Sequence, residues 1–294
     1  MLPQTFTPQF LKNLELFKLQ SRRAYLGARQ GGHSSLKRGH GIEFSDFRKY
    51  EMGDSPRWID WNVYARTDKL YVRRYQEEEN LSVLVLLDTS SSMRTPTADG
   101  KWERARDIAI ALSYVALMEQ DSVTVAPLGY PISPTYHGGR AIHQLGADLQ
   151  KLQFSDAEHD LVIEAQRAVA RVRFPGIALF VSDFLMPFVE IRKIFNVMLA
   201  KNLDVTAVQV LGPNDLNPLA ESSDAIAVDS ETGEEIDLSL DSDSRGRYEY
   251  LLNSHNHQIR EFIGSRRIRY ACAHTTEDLS KFVLNTLSST GLLT

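Results

Sequence analysis

The stretch LVLLDTSSSM, residues 84–93, decides the fold class of this chain. Its apolar half belongs to the run SVLVLL, and an uninterrupted apolar run of this length is typical of a strand buried on both faces. The run ends in Asp88, and after several hydroxyl side chains a long helix is predicted over 101–119. A buried strand that leads into a helix predicts a parallel βαβ unit.

The same alternation of strand and helix continues along the chain. Further apolar strands are predicted in SVTVAPL, IALFVSD, DVTAVQVL and RIRYACAH, with helical patterns between them. We therefore expect an α/β fold with a doubly wound, mostly parallel sheet and helices on both faces. This domain covers 81–294 and carries an inserted hairpin at about 212–243. Residues 1–80 contribute an N-terminal helix and a small β extension. Apolar spacing predicts that helix over 8–25, and a short helix is predicted in SPRWIDWNVYART, with Ser55 as its cap and Pro56 at its first position.

Composition limits the function classes. The 294 residues carry a net charge of −5, which disfavours general nucleic-acid binding. No apolar stretch reaches the roughly 20 residues of a membrane span, and the N-terminus lacks the order of a signal peptide. We predict a cytoplasmic protein without membrane insertion. A single cysteine, Cys272, excludes an internal disulfide and a cysteine-based zinc site.

The charge is distributed unevenly. Residues 21–50 carry seven basic and two acidic side chains, whereas residues 204–245 carry eleven acids and one base. Such asymmetry indicates either a binding face or two solvated surfaces. Nucleic-acid binding through 21–50 is one alternative function that follows from it.

Carboxylates end two of the predicted buried strands, Asp88 in the first and Asp183 in LFVSDF. Ligands of doubly wound sheets bind at the carboxyl ends of strands, so both side chains are expected at that edge. Ser90 and Ser92 follow Asp88 at a spacing that can converge in a tight turn. These oxygen donors suit Mg²⁺ or Mn²⁺. The alternative is that Asp88 and the serines only satisfy turn amides and cap the next helix.

The run DTSSS resembles the D-x-S-x-S signature of the metal-ion-dependent adhesion site in von Willebrand factor A domains. The resemblance implies a divalent ion held by Asp88, Ser90 and Ser92, completed by Asp183 directly or through water, with an open position for a partner's carboxylate. That family usually adds a threonine before a helix. Here His159 stands in its place, and a neutral histidine is a poorer magnesium ligand than a hydroxyl. Asp160, which follows it, is the alternative ligand at this position.

The segment GHGIEFSDFRKYEMGDSPRWIDW, residues 39–61, resembles the bacterial family called domain of unknown function fifty-eight. Its Arg and Asp side chains can form forked ion pairs, so the segment is either a structural lattice or a partner-binding surface. The residues assigned to this motif are Arg48, Asp54, Arg57, Asp60 and Trp61. The resemblance implies an adaptor or co-chaperone of a MoxR-type AAA+ ATPase.

Two function classes follow from the strand-end carboxylates. The first is a non-catalytic protein-interaction module that binds a divalent cation. The second is a metal-dependent hydrolase that uses Asp88 and Asp183. The sequence contains no G-x-S-x-G elbow, no phosphate-binding loop and no H-E-x-x-H motif, so we predict that the protein is not an enzyme.

Overall fold

A computed structural model describes residues 2–22, 42–77, 80–152, 159–173, 176–217, 224–228, 235–239 and 242–294. These residues divide into two compact units, one within 30–79 and the other formed by 1–29 together with 80–294. The N-terminal helix α1 (Pro8–Leu14) belongs to the second, larger unit. The helix and the β extension, which the sequence pattern grouped in residues 1–80, therefore lie in different units.

The smaller unit is an antiparallel pair of strands, β1 (Ile42–Lys49) and β2 (Tyr71–Glu77), joined through helix α2 (Trp61–Thr67). The sequence predicted a helix capped by Ser55. Instead a 3-10 turn at Pro56–Trp58 precedes α2, and Ser55 makes no side-chain capping bond. Asp60 caps α2 by accepting hydrogen bonds from the amides of Asn62 at 2.9 Å and Val63 at 3.2 Å.

The larger unit contains a six-stranded sheet of order β10-β7-β6-β3-β4-β5. Neighbouring strands are parallel, except that β5 runs antiparallel to β4. The strands of this unit, including the separate hairpin β8–β9, are β3 (Ser82–Leu87), β4 (Ser122–Pro127), β5 (Tyr136–His137), β6 (Gly176–Ser182), β7 (Asp204–Leu211), β8 (Asp224–Val228), β9 (Glu235–Ser239) and β10 (Arg269–His274). The prediction of a mostly parallel α/β sheet is confirmed.

The helices after α2 accompany this sheet. They are α3 (Ser91–Arg94), α4 (Lys101–Met118), α5 (Ile142–Gln150), α6 (Leu161–Ala170), α7 (Phe188–Ala200), α8 (Pro213–Leu216), α9 (Ser242–Ser265) and α10 (Leu279–Lys281), which continues into a π-helical turn at Phe282–Leu287. Among the described residues, no helix combines the length and the apolar character needed to cross a membrane.

Two apolar layers cover the sheet. Val83, Val85 and Leu87 of β3 pack in one layer with side chains of α1, α4 and α5. Leu84 and Leu86 point into the opposite layer with side chains of α6, α7 and α9. Alternate residues of one strand are thus buried on both faces, which explains the uninterrupted apolar run in the sequence.

The N-terminal helix is shorter than the pattern over 8–25 predicted. α1 ends at Leu14, and the chain then pairs with the C-terminus, where Lys18 and Thr294 exchange backbone hydrogen bonds of 2.9 and 3.0 Å. This long-range pairing satisfies the backbone groups that a longer helix would have satisfied locally. The segment predicted as an insertion contains the antiparallel pair β8 and β9, and the turn at 229–234 lies outside the described residues.

Candidate metal centre

The strand-end carboxylates lie where the strand order of the sheet reverses. β4 extends the sheet on one side of β3 and β6 extends it on the other, and a ligand-binding crevice forms at such a reversal. Asp88 follows β3, Asp183 follows β6, and both side chains are 0% exposed. The Ser182 hydroxyl, at the end of β6, donates to Asp88 Oδ2 at 2.5 Å. This bond joins the ends of the two strands.

The turn after Asp88 folds back onto its carboxylate. The Ser90 amide donates to Asp88 Oδ1 at 2.9 Å, and the hydroxyl oxygens of Ser90 and Ser92 lie 3.0 Å apart. Asp88 thus accepts a hydrogen bond from an amide of its own turn, as the alternative without a metal predicted. Two half-buried hydroxyls nevertheless remain close together beside the carboxylate. Each oxygen of the carboxylate has further lone-pair capacity, so the turn bonds do not exclude an additional ligand.

Burial dominates the electrostatics of Asp88. Removal from water, and then the negative charge of Asp183, raise the pKa of Asp88 to about 6. Hydrogen bonds from Ser182 and Ser90 act in the opposite direction. The shift indicates that the two carboxylates repel each other within one buried site. A cation placed between them would relieve this repulsion.

Lys101 supplies a positive charge to this site, which sequence reasoning missed. It is the first residue of α4 and is 2% exposed. Its ammonium nitrogen lies 3.0 Å from Asp183 Oδ2 and 2.8 Å from Asp215 Oδ1. The one sequence signal for it is a lysine at a helix N-terminus, where the helix dipole disfavours a cation.

Asp215 is the second carboxylate that binds the Lys101 ammonium. It lies in α8, and its Oδ2 accepts the Gly212 amide at 2.8 Å. The Tyr248 hydroxyl of α9 donates to the Asp215 backbone carbonyl at 2.8 Å. Burial raises the pKa of Asp215, and the bond from Lys101 opposes that rise. The ammonium therefore links the candidate centre to the segment that leads into the β8–β9 insertion.

The backbone beside Asp183 is held in an uncommon conformation. Phe184 has φ of +56° although it is not glycine, and its ring is fully buried. Its carbonyl lies 2.7 Å from His255 Nε2, and the Asp183 carbonyl accepts a 2.9 Å bond from Gln209. The Leu185 amide donates to Asp183 Oδ1 at 3.0 Å. These contacts fix the direction of the Asp183 carboxylate.

His159 and Asp160 serve other contacts. Asp160 caps α6 through bonds from the amides of Val162 at 2.9 Å and Ile163 at 3.0 Å. The exposed His159 ring lies 6.1 Å from the Tyr130 ring, measured between centroids. Within the part of the chain that the structure describes, neither side chain forms a hydrogen bond or ion pair with Asp88 or Asp183.

The family segment forms one of the ion pairs that its pattern allows. Arg48 binds Asp54 through two bonds of 2.8 and 2.7 Å, and Asp54 also accepts the Glu51 amide at 2.9 Å. The Asp54 bond raises the pKa of Arg48. Arg57 is exposed, and Asp60 caps α2 as described above. Trp61 is 60% exposed.

Oxygen atoms make up the candidate donor set, namely the carboxylates of Asp88 and Asp183 and the hydroxyls of Ser90 and Ser92. Among the described residues, no group of three or more His, Cys, Asp and Glu side chains could hold a metal ion. Hard oxygen donors nevertheless fit Mg²⁺ or Mn²⁺, which retain several water ligands. Asp88, Asp183 and Asp215 carry three negative charges against the one positive charge of Lys101. Two negative charges therefore remain for one divalent cation.

Residues 23–41, which form most of the basic segment 21–50, lie outside the described residues. Nucleic-acid binding through that segment therefore stays a prediction, as does the metal-dependent hydrolase.

Known proteins resemble this chain over most of its length. Residues 46–258 match the family described as protein of unknown function DUF58. Uncharacterized protein Rv1480 of Mycobacterium tuberculosis is 27% identical over 268 residues, which cover 87% of this chain and 82% of that protein. Uncharacterized protein Mb1516 of Mycobacterium bovis gives the same values of 27%, 87% and 82%.

Two solved structures resemble the fold more distantly. The conserved hypothetical protein BatB from Bacteroides thetaiotaomicron aligns with a TM-score of 0.42 at 13% identity, over 72% of this chain and 99% of that one. An aerotolerance-related membrane protein from Bacteroides fragilis aligns with a TM-score of 0.37 at 16% identity, over 62% of this chain and 100% of that one.

Proposed function

The chain belongs to the DUF58 family, and we propose that it is a non-catalytic protein-interaction module with a von Willebrand factor A-like fold. A divalent cation at the carboxyl edge of the sheet would recruit a partner protein. The observation that carries this proposal is the pair of fully buried carboxylates, Asp88 and Asp183, at the reversal of strand order. Buried carboxylates are costly unless a cation or a hydrogen-bond network compensates them.

The ligands for this cation would be Asp88, Ser90 and Ser92, with Asp183 as a further carboxylate. When bound, Mg²⁺ or Mn²⁺ would supply a fixed positive charge that attracts a carboxylate from the partner. Ser182 orients Asp88 through its 2.5 Å hydrogen bond, and Lys101 orients Asp183 at 3.0 Å. Preorganised ligands of this kind reduce the conformational cost of binding.

The partner that we propose is a MoxR-type AAA+ ATPase, with this chain as its adaptor or co-chaperone in the cytoplasm. The proposal follows from the family resemblance of residues 39–61 and from the excess of carboxylate charge at the candidate centre.

The experiment is capture of the ATPase by the purified chain, with magnesium and with chelator. Asp88→Asn removes the charge but keeps a similar shape. Asp121→Asn is the matched control, because Asp121 is also a buried carboxyl that accepts an amide, from Leu81 at 2.7 Å, but at the opposite edge of the sheet. We expect capture by wild type and Asp121→Asn in magnesium, and loss with chelator or in Asp88→Asn. Equal capture under all conditions would refute the cation-dependent module.

A further inference from the structure

A cavity of about 410 Å³ opens between α6 and the loop that follows β4. Tyr130 and His159 contribute its aromatic side chains. Its charged side chains are Glu164 and Arg167 of α6 and Arg171, which directly follows α6. Its volume lies within the range of ligand-binding clefts, about 300–1,000 Å³. None of these residues belongs to the donor set described above.

One wall of the cavity depends on a glycine. Gly129 has φ of +83°, and a Cβ atom at this position would lie 2.4 Å from Cδ2 of His159. Any larger residue would displace the imidazole. The absence of a side chain at Gly129 therefore lets the His159 ring lie directly on the loop backbone, which fixes this wall of the cavity.

Among the described lining residues, the charged side of the cavity carries one excess positive charge. Arg167 donates to Glu164 at 2.6 Å, so these two charges balance each other. Arg171 directly follows α6, four residues after Arg167, and is exposed. Among the described residues it has no ion-pair partner. An arginine with free forked donors fits a carboxylate.

A hydrogen bond joins the residue next to Asp88 to the start of the loop that lines the cavity. The Thr89 hydroxyl, next to Asp88, donates to the carbonyl of Leu128, which immediately precedes the loop that lines the cavity. A ligand that occupies the cavity would therefore lie at the same edge of the sheet as the strand-end carboxylates.

We propose that this cavity, the Arg171 pocket, binds an acidic segment of the partner protein. Arg171 would bind a carboxylate of the segment, and the rings of Tyr130 and His159 would pack against its apolar atoms. The inference rests on the proposed function for its assumption of a protein partner, and it adds the chemistry of that partner. The pocket contacts require no metal ion.

The test uses a short fluorescein-labelled peptide in which glutamates alternate with glycine and leucine, and the same peptide with glutamine in place of glutamate. Binding to the full chain is measured by fluorescence anisotropy in EDTA at low salt. We expect Arg171→Glu to weaken binding of the glutamate peptide about tenfold or more. Arg192→Glu reverses the charge of an exposed arginine on α7 and should leave the affinity unchanged.

Three results would refute the proposal that the Arg171 pocket binds an acidic segment. They are equal affinities of Arg171→Glu and Arg192→Glu, equal affinities of the two peptides, and no binding of the glutamate peptide by wild type at low salt. Arg171 is exposed, so both variants should fold, and circular dichroism with a thermal scan checks this.

The two proposals fail in different ways. If the ATPase is captured equally with magnesium and with chelator, and Asp88→Asn captures it as wild type does, the cation site is refuted. Loss of affinity for the glutamate peptide in Arg171→Glu, measured in EDTA, would still support the Arg171 pocket.

Discussion

Replacement of Lys101 by methionine should strongly destabilise the protein. The ammonium is 2% exposed and lies 3.0 Å from one carboxylate and 2.8 Å from another. Methionine fills a similar volume but leaves Asp183 and Asp215 buried without their cation. Removal of one partner from a buried ion pair costs about 3–5 kcal/mol. This is a large part of the roughly 5–15 kcal/mol by which domains are stable.

Urea unfolding measures this loss as a change in the free energy of unfolding, with Lys193→Met, an exposed lysine on α7, as the control. The double variant Lys101→Met/Asp215→Asn removes one of the two buried carboxylates left without a cation. It should therefore recover part of the lost free energy of unfolding. A loss below about 1 kcal/mol for Lys101→Met, similar to that of an exposed substitution, would refute the assignment of Lys101 as the buried counter-ion of the site.

Three further predictions test other parts of the structure. Burial raises the pKa of Asp121 to about 6 from 3.8, so the folded state binds its proton more tightly and stability falls as pH rises through this window. Thermal scans across that window should therefore show a melting temperature that depends less on pH for Asp121→Asn than for wild type. Parallel curves of melting temperature against pH would contradict this. Gly129→Ala should cost about 1–3 kcal/mol in urea unfolding, because its backbone is left-handed and its Cβ meets His159 at 2.4 Å, and an unchanged midpoint would contradict the packing. Phe184→Ala should cost about 3–5 kcal/mol in the same assay through loss of its buried ring, and the larger side chain of Phe184→Leu should reduce that loss.

The sheet could be predicted from the sequence because its strands are buried on both faces. Val83 to Leu87 are apolar at every position, and the structure places alternate residues in two separate cores. The position of Asp88 and Asp183 followed from the same pattern, since parallel strands end at one edge. Local sequence was sufficient here because the strand itself determines where its last residue lies.

Long-range contacts account for what the sequence did not reveal. Lys101 and Asp215 are 114 positions apart, and no local pattern indicates that an ammonium at a helix start meets a carboxylate in α8. The extent of α1 was predicted wrongly for a related reason. The residues after Leu14 satisfy their backbone groups through the distant C-terminus at Thr294. A pattern of apolar spacing contains no information about such partners.

Competing local signals explain the other differences. Ser55 followed by proline is a typical helix start, but Asp60, five residues later, accepts two amides and sets the start of α2. Asp160, the alternative ligand at the position of the family's threonine, caps α6. Side chains that can cap a helix and bind a cation are the same residue types, so sequence alone does not separate the two roles.

The most direct test of the central claim is a calorimetric titration of the purified chain with Mn²⁺. Wild type and Asp121→Asn should bind one ion with the same affinity, and Asp88→Asn should show no binding heat. Binding of Mn²⁺ by Asp88→Asn with the affinity of wild type, or no binding by wild type, would contradict a cation site at the ends of β3 and β6.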